Sequence, residues 1–111
     1  MIHNFDEFKK SPGANVLQRA NIDISQIKTW QQLRLLACQD YEDYISKLIK
    51  LYQYASSGEC VLIQALVYAL DFSHDADELN PNFFKSLHRC SGKHRAVLNY
   101  LISIENFHSA Q

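Results

Sequence analysis

Residues 60–70, Cys-Val-Leu-Ile-Gln-Ala-Leu-Val-Tyr-Ala-Leu, hold one polar side chain in eleven. Wound at 3.6 residues per turn, such a run is dry on nearly every side, and only the line through Gln64 and Asp71 is left to meet water. A helix of this kind must be surrounded, by about three neighbours if each offers one apolar stripe. It is also well short of the ~20 apolar residues that span a bilayer. Ser56-Ser57-Gly58-Glu59 precedes it in capping-box form, with Glu59 favourable at the positive end of a helix. The run therefore predicts a buried helix over about 57–70 as the organising element of the fold.

The rest of the chain supplies candidate neighbours. Gly and Pro are scarce, three and two in 111 residues, and each falls where a helix needs a break. Pro12-Gly13 separates a short turn at Phe5–Lys10 from the helical stretch Ala14–Ala20. Thr29-Trp30-Gln31-Gln32 is a further capping box. From there Trp30, Leu33, Leu36, Tyr44, Leu48, Leu51 and Tyr52 recur mostly at helical spacing. The polar patch at Gln39–Asp43 interrupts that stripe, which leaves one long helix, 30–54, or two helices broken near Asp40. Asn80-Pro81 starts a helix over 81–90, with asparagine as N-cap and proline at the first position. That helix buries Phe84 and Leu87, with Phe83 alongside. Ser91-Gly92 ends it through a left-handed glycine. A last helix, about 93–108, carries Val97, Leu98, Leu101, Ile104 and Phe107 or His108. No segment alternates with period two. The expectation is an all-α fold, a compact bundle of five to six helices around the central one, with residues 1–111 forming one domain.

Net charge is −1 and the pI about 6.5, so the whole chain signals neither a nucleic-acid binder nor a membrane-surface protein. The N-terminus, Met-Ile-His-Asn-Phe-Asp-Glu, has no apolar secretory core. Cys38, Cys60 and Cys90 are sparse and unpaired in sequence, as suits a reducing compartment. A cytoplasmic protein is expected. The charges are nevertheless uneven. Residues 57–80 hold Glu59, Asp71, Asp75, Asp77 and Glu78 and no Lys or Arg. Residues 81–95 hold Lys85, Arg89, Lys93 and Arg95 and no acid. The two sets either pair with each other inside the fold or face a partner. Lys93 and Arg95 also begin the last helix, where the macrodipole disfavours cations.

Motifs with specific chemistry fail on their details. A helix-turn-helix around Ser91-Gly92 lacks the small residue four before the glycine, where His88 stands, and lacks apolar flanks to the turn. Asp71–Asp77 places oxygens in a calcium-loop register, but Ala76 replaces the required glycine and Asn82 the closing glutamate. Cys60, His74, His88 and Cys90 are zinc ligand types without the paired spacing that puts two on one face. No glycine loop cradles phosphate, no serine has a nucleophile-elbow setting, and the cysteines sit at helical positions. Neither catalysis nor a metal or cofactor is expected.

Tyr44 and Tyr52 belong to the apolar stripe, whereas Tyr41 and Tyr54 lie off it. Tyr41 stands beside Asp40, Glu42 and Asp43, a tyrosine-and-acid patch of the kind that forms protein-binding surfaces. Ser56–Glu59, the apolar helix after it and Arg95-Ala96-Val97-Leu98 together resemble the C-terminal part of small uncharacterised proteins of bacteria and their prophages, over roughly residues 56–104. The chain departs from that pattern in its longer acidic loop at 71–80. The resemblance implies a bacterial or phage accessory protein and attaches no activity. The residues point to a non-enzymatic protein-interaction module, an inhibitor or adaptor that binds a host protein complex through Asp40, Tyr41, Glu42, Asp43, Lys85, Arg89, Lys93 and Arg95. The alternative is a nucleic-acid-associated regulator using the basic turn at 85–95. A homodimer is favoured over a monomer because the central helix needs so much cover.

Overall fold

The computed structural model describes residues 2–109, without the side chains of Phe84 and residues 105–109. It is all-α. Among the described residues there are seven α-helices and no strand: α1 (Phe5–Phe8), α2 (Pro12–Arg19), α3 (Trp30–Gln39), α4 (Tyr41–Tyr52), α5 (Ser57–Ala69), α6 (Ser73–Leu79) and α7 (Gly92–Ser109), with a 3-10 helix at Phe83–Arg89. They pack into a near-equant bundle, 32 × 30 × 29 Å.

α5 is the central helix, and both capping-box bonds form at its start: Ser56 Oγ accepts the Glu59 N–H, and Glu59 accepts the Ser56 N–H. The Glu59 carboxylate also pairs with Arg19 of α2. Burial opposes its ionisation, but the Ser56 N–H and Arg19 together hold its pKa below the ordinary value. Leu62, Ile63, Leu66 and Leu70 are fully shielded. The cover comes from α7, α6, the 3-10 helix, α4 and α2. One chain thus surrounds the helix, and the argument that its apolar sides call for a second copy loses its ground.

Three local expectations are corrected. Gln64 does not face water. It is buried, and its amide nitrogen donates to the Ala76 carbonyl at 2.7 Å and the Asn80 carbonyl at 2.8 Å. Those acceptors exist because residues 73–79, read as part of an acidic loop, fold as α6 on this side of α5. The segment expected as an α-helix over 81–90 is instead the shorter 3-10 helix, since Asn80 Oδ1 accepts the Asn82 N–H in a local turn and moves the start to Phe83. Phe83 is buried and Leu87 half-buried there, while Phe84, Phe107 and His108 lie outside the described side chains. The stripe from Trp30 to Tyr52 breaks at Asp40 into α3 and α4, although the Asp40 side chain makes no capping bond.

Two helices end on a left-handed residue that is not glycine. α2 and α5 both close in Schellman geometry, with Asn21 and Asp71 at φ 62° and 69°. In the first, the Asn21 and Ile22 N–H groups reach Gln18 O and Leu17 O; in the second, Asp71 and Phe72 reach Tyr68 O and Val67 O. Gly13 has a packing role inside α2. A Cβ there would lie 2.6 Å from Phe8 Cε2 and 2.8 Å from Val97 Cγ1, in an interface that joins α1, α2 and α7. Gly13→Ala should therefore destabilise the fold by about 1–3 kcal/mol despite the better helix propensity of alanine, read from urea midpoints. An unchanged or raised midpoint would contradict the close packing.

Candidate functional site

The segment from Asp71 to Cys90 returns along α5 from its end to its start. Asp71 follows the C-terminal end of α5, Asn80 is level with Gln64 at its middle, and Cys90 Sγ meets the Gly58 carbonyl at 3.2 Å near its start. The thirteen residues of α5 span about 20 Å at 1.5 Å each. The acidic stretch 71–78 therefore gathers at the C-terminal end, and the cations from Arg89 to Lys93 at the N-terminal end, with Lys85 between. Arg89 lies close enough to Tyr52 and Cys60 to lower both pKa values, although burial, the larger effect, leaves each raised.

At the acidic end, Tyr41 of α4 donates to the Asp75 carboxylate of α6 at 2.7 Å and packs edge-on against Phe72. The Asp75 hydrogen bond is the main cause of its raised pKa, and Glu78 and Glu42 add to it. These two carboxylates therefore stand near the phenol, and α4 and α6 share one acidic rim. Tyr41 is 39% exposed and Tyr54 79%. Asp43 pairs with Lys47 at 2.9 Å, and Asp40 and Glu42 are exposed. Much of the tyrosine-and-acid patch is thus engaged within the fold.

The basic end differs. Arg95 is drawn inward, its guanidinium donating to the Leu87 carbonyl at 3.1 Å. Lys85, Arg89 and Lys93 are exposed, and among the described residues no hydrogen bond or ion pair engages their side chains. Among the described residues no ion pair joins the acidic and basic sets. Their placement also runs against the macrodipole of α5, with cations at its positive end and carboxylates at its negative end. The groups that touch the helix ends obey the dipole instead: Glu59 at the start, and Arg34 on the Ala69 carbonyl at the end.

Other chemistry is thinly supported. Burial pushes the Cys60 and Cys90 thiols up, so both stay protonated and weakly nucleophilic at neutral pH. Among the described residues no three His, Cys, Asp or Glu side chains converge to hold a metal. No described helix is long and apolar enough to cross a membrane. The element before Ser91-Gly92 is a 3-10 helix, so no helix-turn-helix of two α-helices forms there. A groove of about 940 Å³ runs between residues 2–6, 28–31 and α7 over an aromatic floor, where Trp30 Nε1 donates to the Tyr100 hydroxyl at 2.7 Å. No sequence pattern signals this groove, because it joins three segments distant in the chain. Phe5 and Trp30 in its floor are each only 6% exposed, and Tyr100 is half-buried with its hydroxyl engaged by Trp30. No family model, curated protein or solved structure matches the chain.

Proposed function

We propose that the chain is a small cytoplasmic protein-interaction module, an inhibitor or adaptor of bacterial or phage origin, that acts by binding and not by turnover. Its basic end would dock on an acidic surface of a host protein complex. One observation carries this reading: Arg89 and Lys93 stand at the end of α5 where the helix field is already positive, with Lys85 further along the helix, and all three are exposed without an ion pair among the described residues. Holding Arg89 and Lys93 there opposes local stability, which fits a surface kept for a partner. The acidic rim of Glu42, Asp75 and Glu78 is the secondary surface and would orient the complex.

The test is the charge reversal Lys85→Glu/Arg89→Glu/Lys93→Glu, all at exposed positions, with folding checked by circular dichroism. Partner capture from a bacterial lysate should weaken as salt is raised and vanish in the variant. Equal capture by the variant would overturn the reading. Nucleic acid is the competing partner for the same cations, and the chain's net charge of −1 disfavours it. No mobility shift of DNA or RNA is expected at about 50 mM salt. A shift that the reversal abolishes would replace the proposal with a nucleic-acid-associated regulator.

A further inference from the structure

The outward face of α3 is chemically unlike the rest of the surface. Its exposed positions are Gln31, Gln32, Leu35, Leu36, Cys38 and Gln39. Leu35, 59% exposed, lies in the middle of the face, and Leu36, 37% exposed, stands at its edge. The inward stripe of Trp30, Leu33, Arg34 and Ala37 already meets the core, so these leucines are surplus to it. Arg34 is the single charged residue of the helix, and it is buried. In a chain with 21% charged residues, a surface helix with no outward charge is conspicuous. The other exposed stretches carry acids on α4 and α6 and cations from Lys85 to Lys93.

We propose that this face is the interface of a two-fold symmetric dimer, α3 against α3 of a second copy. Charge decides the occupant. Docking α3 on the acidic rim or the basic end of another copy would strip water from charges and offer them no counter-ion. Against itself, the face buries leucine on leucine with no charge to compensate. Glutamine suits a two-fold contact, because its amide both donates and accepts and can therefore pair with its own symmetry mate. The face is one helix of ten residues, about 15 Å long, and falls below the roughly 800 Å² per partner of a stable complex. The dimer is accordingly weak and reversible, filled only at high protein concentration. It leaves Lys85, Arg89 and Lys93 free, so it stands or falls separately from the binding function proposed above.

Sedimentation of the full chain at rising concentration should show monomer passing to dimer, with little response to salt. Leu35→Glu should raise the dissociation constant at least tenfold. It alters a surface side chain, and an unchanged circular dichroism spectrum confirms that the fold survives. A short bismaleimide should link two wild-type chains through Cys38, and Cys38→Ser should abolish the link. A monomer at every concentration overturns the proposal, and so does a dimer that Leu35→Glu leaves intact. A monomer whose α3 face captures a foreign protein, with capture lost in Leu35→Glu, also overturns it. Dimerisation retained in the Lys85→Glu/Arg89→Glu/Lys93→Glu variant separates this interface from the basic end.

Discussion

Gln64→Leu, which completes the apolar surface of the central helix, should destabilise the protein by about 3 kcal/mol. The substitution nearly conserves volume, so the cost is one of hydrogen bonding and not of a cavity. Both protons of the glutamine amide are in use, on the Ala76 and Asn80 carbonyls. Leucine would leave the Ala76 carbonyl facing hydrocarbon and the half-buried Asn80 carbonyl without its donor, and an unsatisfied buried acceptor costs more than the net value of the bond it lost. Ala76 is itself fully buried, so water cannot replace the amide cheaply. For a domain of this size the expected fall in melting temperature is roughly 10–20 °C. Gln18→Leu, on the exposed side of α2, should shift stability by less than about 0.5 kcal/mol. Amide exchange in α6 should accelerate first, because the glutamine ties that helix to α5. A Gln64→Leu protein as stable as the wild type would show that hydrophobic burial, not this pair of bonds, holds α6 in place.

The same residue shows what a sequence can and cannot disclose. Periodicity located α5 and its capping box, because both depend on residues within one turn of each other. It placed Gln64 towards water on the rule that polar side chains face out, and that rule fails where a later segment supplies acceptors. α6 was hidden for a related reason: Ser73–Leu79 has a single fully buried residue, Ala76, and no apolar stripe to register as helical. Helix ends at Asn21 and Asp71 were equally opaque, since the left-handed position is filled without glycine. At the surface, sequence separated the acidic and basic blocks correctly but could not say which side chains stay unengaged. Tyr41 and Arg95 are both bound inward, by Asp75 and the Leu87 carbonyl, across contacts whose partners only the fold determines. The outward face of α3 was misread in part, as Leu36 was counted with the core stripe.

Arg34→Met is the second substitution expected to act strongly, with a loss of about 2–3 kcal/mol. Replacing a buried ion pair by apolar groups is often neutral, because the desolvation of two charges is recovered. Arg34 is a different case. Its carboxylate neighbour, Asp71, is 3.8 Å away and half exposed, so little of its worth lies in that pair. Its Nε–H donates to the Ala69 carbonyl at 2.5 Å. The Schellman turn at the end of α5 occupies the Val67 and Tyr68 carbonyls and leaves Ala69 without a backbone donor. A guanidinium from α3 fills that gap and sets positive charge at the negative end of the helix. Methionine fills the volume but leaves the carbonyl buried and unmatched, and lysine lacks the planar fork that holds the contact. Since the side chain is 8% exposed, the loss should be nearly the same in dilute buffer and in 1 M salt. A loss that disappears at high salt would assign the stabilisation to the Asp71 ion pair, and a neutral Arg34→Met would remove the carbonyl cap from the account of how α5 ends.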